Sequence, residues 1–218
     1  MKPTLIAATL ALATLAAPLQ AHPHVFIDTS VTVVFDDAGR VAGVRLVWLY
    51  DDFFSLLLTE DMGLDPDGDM ALTEAELQEL SDFVLDWPEG FAGDLTLEQG
   101  GVALPLGPRQ AAQVRLVDGR MEESHYRPLQ TPVSASDAPL IVAPYDPYYY
   151  TAHIVDEVIG LEGGAGCAAR LHPADIAAAQ TQAEQILFGR SIDQFGPEEN
   201  LPEVGHLFAD RVEVTCVP

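Results

Sequence analysis

The sequence predicts an α+β fold that is mostly antiparallel β, with a helix-loop-helix insertion and one C-terminal helix. Three observations carry this. Apolar and polar residues alternate in short runs through most of the chain, two stretches before residue 88 change to helical spacing, and an alanine-rich helical stretch precedes the last strand.

The first strands are read from Val31, Val33 and Phe35, which alternate with polar neighbours, and from Val44, Leu46, Trp48 and Tyr50, which do the same. Asp36-Asp37-Ala38-Gly39-Arg40 between them has hairpin-loop composition. Asp51 to Met62, rich in Phe and Leu, reads as helix. Thr73 to Trp87 places Leu77, Leu80, Val84 and Trp87 on one helical face before Pro88 stops it. Beyond Gly90, short strands are expected at Leu95 with Leu97, Val102 with Leu104, Val114 with Leu116, Leu140 to Val142 and Tyr148 to Val155. Gly100-Gly101 and Asp118-Gly119 mark turns. A last helix is expected from Pro173 to Gly189, through Ile176, Ala179, Ala183 and Leu187, with Val212 to Cys216 as the closing strand. No internal repeat or low-complexity tract interrupts this order.

Residues 1–21 read as a cleaved signal peptide. Lys2 supplies the positive start, Thr4 to Ala17 is an uncharged apolar run, and Pro18 breaks it before a cut after Ala21. The run is shorter than the roughly 20 apolar residues that span a bilayer, and nothing later is long or apolar enough to insert. The expected product is one periplasmic α+β domain, residues 22–218, with its helical insertion at about 51–88. Lys2 is the only lysine, so this product has nine arginines against 34 acidic residues, a formal charge of −25. Nucleic acid and anionic lipid surfaces would repel it, which excludes them as partners. Cations are favoured, although many carboxylates serve solubility alone. Two cysteines, Cys167 and Cys216, in a chain sent to an oxidising compartment are expected to form one disulfide.

The segment Asp65-Pro66-Asp67-Gly68-Asp69-Met70-Ala71-Leu72-Thr73-Glu74-Ala75-Glu76 has carboxylates at positions one, three, five and twelve of a calcium loop. Ala71 at position seven supplies a backbone carbonyl, Leu72 at eight is the apolar packing residue, and Glu76 closes the site from the exiting helix. With helical sequence on both sides, the insertion looks EF-hand-like. Met70 occupies position six, where the sharp turn normally takes glycine; a left-handed non-glycine residue there costs roughly 1–2 kcal/mol. An ion-free acidic turn that caps the following helix is the alternative.

Cleavage after Ala21 exposes His22-Pro23-His24-Val25-Phe26-Ile27-Asp28. The α-amine and imidazole of His22 form a chelate to which His24 adds a second imidazole. In an extended chain His22, His24, Phe26 and Asp28 project to one side, with Val25 and Ile27 to the other. Pro23 has no amide N–H to become a deprotonated backbone ligand. The donor set suits Ni, Co, Zn or Cu and does not choose among them. A frayed terminus is the alternative. His125, His153, His172 and His206 are candidates for further ligands brought to the metal site by folding. No Ser/His/Asp, Cys/His or nucleotide-binding glycine arrangement occurs, so no catalytic residue is assigned and the chain is not read as an enzyme.

His22-Pro23-His24-Val25-Phe26-Ile27-Asp28 after a leader, Trp48-Leu49-Tyr50-Asp51, the Asp-x-Asp-Gly-Asp loop, Tyr145-Asp146-Pro147-Tyr148-Tyr149-Tyr150, Cys167 and a cysteine near the end occur here in one order. In that order they resemble the family called domain of unknown function 1007, over essentially the whole mature chain. Members of that family are often labelled periplasmic components of ABC-type transport systems, and many are associated with nickel/cobalt-type permeases. The resemblance therefore implies periplasmic metal handling with a membrane metal transporter or permease as partner. Residues and resemblance together lead to the expectation of a periplasmic accessory protein. It would capture or deliver a transition metal for a transporter and carry a structural calcium loop. The alternative is a copper redox enzyme of the histidine-brace type built on the mature N-terminal histidine.

Overall fold

The computed structural model describes residues 23–69, 71–190, 194–195 and 200–217. The leader, His22 and Met70 lie outside the described residues. Among the described residues the architecture is α+β and mostly β, with two sheets and three α-helices.

The first sheet begins with a hairpin. β1 (Val25–Phe35) and β2 (Val41–Tyr50) pair antiparallel from Ile27↔Tyr50 to Phe35↔Val41. The turn closes through Asp36, which accepts hydrogen bonds from the backbone N–H groups of Ala38 and Arg40. Strict alternation in β1 buries Val25, Ile27, Thr29, Val31, Val33 and Phe35 on one face. β2 continues into α1 (Asp52–Asp61), whose N-cap is Asp51, and after a loop the chain forms α2 (Glu74–Val84), capped by Thr73. Both cap side chains accept from an orphan N–H of the first turn, the interaction that starts a helix at the cap rather than at a neighbouring residue. The second sheet opens with β3 (Leu95–Gln99) and β4 (Val102–Ala103). β5 (Gln110–Val117) and β6 (Arg120–Val133) return to the first sheet, and β7 (Leu140–Pro144) joins the second. β8 (Thr151–Val155) and β9 (Gly160–Glu162) run parallel to β1, so the first sheet is not wholly antiparallel. β10 (Cys167–His172), α3 (Ile176–Ile186) and β11 (Arg211–Cys216) complete the chain. Strand order is β5-β6-β2-β1-β8, with β9 also on β1, in one sheet and β10-β11-β7-β3-β4 in the other.

The two sheets face each other over one cluster. Val31, Val33, Val44 and Leu46 of the first meet Leu97, Leu140, Val142, Val212 and Val214 of the second, all nearly or fully buried. Each such side chain contributes about 1.5–3 kcal/mol by leaving water. Cys167 and Cys216 stand directly opposite in β10 and β11 and form the disulfide. Closing a loop with a sequence separation of 49 restricts the unfolded chain by about 4 kcal/mol in the entropy account.

Sequence and structure differ in two places that bear on the site. β6 is the longest strand, 14 residues, yet its composition conceals it. Its inward positions are Met121, Glu123, His125, Arg127 and Leu129, so the buried face carries charge and the apolar alternation disappears. The expected strand from Tyr148 is shorter, beginning at Thr151. Tyr149 takes a positive φ of 59°, and Asp146 accepts the N–H groups of Tyr148 and Thr151, making the tyrosines a turn.

Candidate functional site

The acidic loop runs between α1 and α2. α1 ends where the Met62 N–H donates to the Leu58 carbonyl, and Leu64 is buried beneath the loop's entrance. Asp65 then adopts φ 54° and Gly68 φ 70°, so among the described residues of the loop positions one and four are left-handed. Oδ1 of Asp65 accepts the Asp69 N–H at 3.0 Å, and Oδ1 of Asp69 accepts the Ala71 N–H at 2.9 Å, curling the chain inward. One carboxylate oxygen from each of Asp65, Asp67 and Asp69 lies within 4.8 Å of the others. Asp67, Asp69, Ala71 and Glu76 line a solvent-open concavity of about 370 Å³ with Pro66, Leu72 and Thr73.

Glu76 closes the loop from α2. Its Oε2 accepts the Thr73 N–H at 2.8 Å and the Thr73 hydroxyl at 2.7 Å, while Thr73 Oγ1 accepts the Glu76 N–H, a reciprocal capping box. These bonds from Thr73, with a further one from the Asp65 N–H, hold the Glu76 carboxyl below its ordinary value. The Asp69 charge, then the contact with Asp65, pushes the Asp67 carboxyl up. Three converging carboxylates repel one another, a repulsion that a proton or a bound hard cation would relieve.

At the start of β1, His24 is exposed. Its N–H donates to the Tyr150 carbonyl at 2.8 Å, and its imidazole leans on the Tyr150 ring at 4.8 Å between centroids. Phe26 is exposed as well, whereas Val25 and Ile27 are buried, the alternation expected of the segment. Asp28 is held by Arg120 at 2.8 Å.

Among the described residues, the other histidines do not converge on it. His125 and His153 face the interior, with side chains withdrawn from solvent, on the side opposite the exposed His24. His172 is half exposed beside Glu213 at 4.0 Å, and His206 is exposed in a 3-10 turn. Among the described residues, the three aspartates of the loop are the group able to surround a metal, and no histidine belongs to it.

His125 and His153 instead belong to a buried polar layer between the sheets that the sequence does not reveal. Arg109 Nη1 lies 3.1 Å from Glu123 Oε1, and Arg109 Nη2 donates to the Leu85 carbonyl at 2.5 Å. The Arg109 guanidinium also lies 3.9 Å over the Trp87 ring. Arg127 Nη1 donates to the Ala92 carbonyl at 2.5 Å. Two arginines thus pin the 85–94 segment, which follows α2, onto the first sheet. Gly93, at φ 77°, lies where an added Cβ would collide with Arg127 and Trp87. Burial first, and then the Arg109 charge, lowers the Arg127 guanidinium below its usual value.

His125 Nδ1 is 3.1 Å from Glu123 Oε1, close but without hydrogen-bond alignment, and its ring stands edge-on to Trp48 and Trp87. His153 also packs against Trp48, at 5.2 Å between centroids; its Nδ1 is 3.0 Å from Thr29 Oγ1 and its Nε2 is 3.5 Å from Asp94 Oδ2. Burial raises the Asp94 carboxyl and the His153 contact partly offsets it. Burial, reinforced by Glu123 and Asp94, keeps the Tyr50 phenol protonated. His125 on β6 and His153 on β8 have β2 and β1 between them in the sheet, and among the described residues neither joins a group able to hold a metal.

Comparison with curated proteins and with solved structures gives no match. A family model described as "Protein of unknown function (DUF1007)" matches residues 7–216, nearly the whole chain. The chain belongs to that family.

Proposed function

We propose that this is an exported, periplasmic metal-binding accessory protein with two separate sites. The observation that carries the reading is the convergence of Asp65, Asp67 and Asp69 within 4.8 Å at positions one, three and five of a loop between two helices. In an EF-hand-like insertion, Asp65, Asp67, Asp69, the Ala71 carbonyl and Glu76 would hold Ca²⁺. Glu76, already bonded to Asp65 at the loop's first position and to Thr73 at its ninth, is suited to the closing position. The ion would supply charge neutralisation and rigidity; the chain's own part is to curl the loop through the Asp65 and Asp69 side chains and to start α2 at Thr73.

The second site is the mature N-terminus, where the His22 amine and imidazole with His24 would capture Ni, Co, Zn or Cu for a membrane transporter. His24 on an exposed face supports this, since handing over a metal requires an accessible ligand. The excess of carboxylates draws cations toward the surface.

Ca²⁺ titration followed by thermal unfolding tests the loop. An ion bound only by the folded state stabilises it by about 2.7 kcal/mol at a hundredfold excess over Kd. Asp65→Ala/Glu76→Ala is expected to abolish the response. An equal Ca²⁺ response in that variant would refute the loop as the site.

A further inference from the structure

α1 reverses the usual arrangement of a surface helix. Its fully buried residues are Ser55 and Thr59, while Phe53, Leu56 and Leu57 are 72%, 41% and 43% exposed. Ser55 explains the inward face: its Oγ accepts the Met121 N–H of β6 at 3.0 Å and donates to the Asp51 carbonyl at 2.8 Å. Close approach of helix to strand therefore needs a small polar residue at Ser55. Phe54 stacks on Tyr50 at 5.3 Å, so the helix is anchored without the outer three. Phe53, Leu56 and Leu57, spaced i, i+3 and i+4, form one continuous stripe.

Charge identifies what covers the stripe. Between Arg45 and Arg109 the sequence contains no lysine or arginine and fifteen acidic residues. At the ends of α1, Asp52, Glu60 and Asp61 are exposed. The nearest cation to Asp52 is Arg120, at 3.8 Å. An anionic lipid surface would be repelled by this rim, and a second copy packed on the same face would set acid against acid. The complementary surface is an apolar groove bordered by arginine or lysine.

We propose that the Phe53–Leu56–Leu57 face of α1 is a docking surface for a protein partner with a basic-rimmed apolar groove. The helix start is tied to the terminal segment, because Phe26 donates its N–H to Asp51 Oδ2 at 2.8 Å and accepts the Asp51 N–H at 2.9 Å. Docking through α1 therefore holds the His24 segment at the same end of the molecule as the partner. The link to metal transfer rests on the function proposed above; the contact itself does not.

Two measurements on the full mature chain test the surface. Leu57→benzoylphenylalanine, photolysed in exporting cells, is expected to cross-link a protein whose attached peptide is apolar and flanked by Lys or Arg. Cross-linking to lipid, to a second copy or to nothing overturns the proposal. Purified protein titrated with a synthetic amphipathic Leu/Lys helix is expected to bind it and not the Leu/Glu equivalent. Phe53→Ser/Leu56→Ser/Leu57→Ser, which keeps every charge, should weaken that binding by about tenfold or more, the scale of one hot-spot residue. Phe53→Ser alone should weaken it in the same direction if the triple variant folds poorly. Unchanged binding by a folded variant would show that charge alone drew the probe and would overturn the docking face. Transition-metal affinity measured on the same samples separates this failure from failure of the terminal metal site.

Discussion

Replacing Glu123 by alanine should be among the most destabilising changes in this protein, and the structure sets its size. Glu123 is 1% exposed and Arg109, its partner at 3.1 Å, keeps a side chain only 14% exposed. Removing one member of a buried pair typically costs about 3–5 kcal/mol, because the other charge is left without compensation. Arg109 retains the Leu85 carbonyl at 2.5 Å and the Trp87 face at 3.9 Å, so the lower end of that range, about 3 kcal/mol, is expected. Glu123→Gln keeps an acceptor for Arg109 and should cost roughly 1–2 kcal/mol. Urea unfolding of Glu123→Ala, Arg109→Ala and the double variant measures the coupling, which should exceed about 1 kcal/mol. Amide exchange should accelerate between residues 85 and 94, the segment that Arg109 holds. A loss below about 0.5 kcal/mol in Glu123→Ala, or additive single effects, would refute the account of this pair as a brace.

Asp94 offers a test by pH: burial raises its carboxyl, so the folded state prefers it protonated. That contribution is fully present below the unfolded pKa and is lost as pH rises through the folded value. Relative to Asp94→Asn, the wild type should lose stability as pH rises above about 4, and a flat difference would contradict the assignment. Cys167→Ser/Cys216→Ser should lower stability by about 4 kcal/mol against the oxidised protein, checked by urea unfolding with and without reductant. Protein beginning at His22 should bind a transition metal more tightly than protein with an extra N-terminal methionine, and the affinity should fall as pH drops through about 6.5. Calorimetry with nickel, cobalt, zinc and copper compares the two forms. Equal affinity for every metal would move the site away from the terminus, and turnover of an oxidant by the copper form would favour a redox enzyme.

What the sequence determined on its own was whatever depends on neighbours in the chain. Asp51 and Thr73 mark the starts of α1 and α2 because a cap acts within three residues, and Gly189 ends the last helical stretch at φ 71°. The carboxylate spacing of the loop and the alternation of β1 were equally legible. Pairing partners are nonlocal, and there the tertiary structure decided. Only the register placing Glu123 beside Trp48, and His153 beside Ile27, shows that acidic and imidazole groups enter the core. Arg109, Glu123 and Arg127 carry the composition of exposed strands, and Asp94 lies in a turn, so no local pattern separates them from solvated residues. They are buried because residues far apart in sequence bring opposite charges and carbonyls to them, compensation that polar groups require before they leave water. The outward face of α1 has the same origin. The sequence shows a Phe- and Leu-rich helix but not which face it buries, and contact with β6 through Ser55 turns Phe53, Leu56 and Leu57 to the outside.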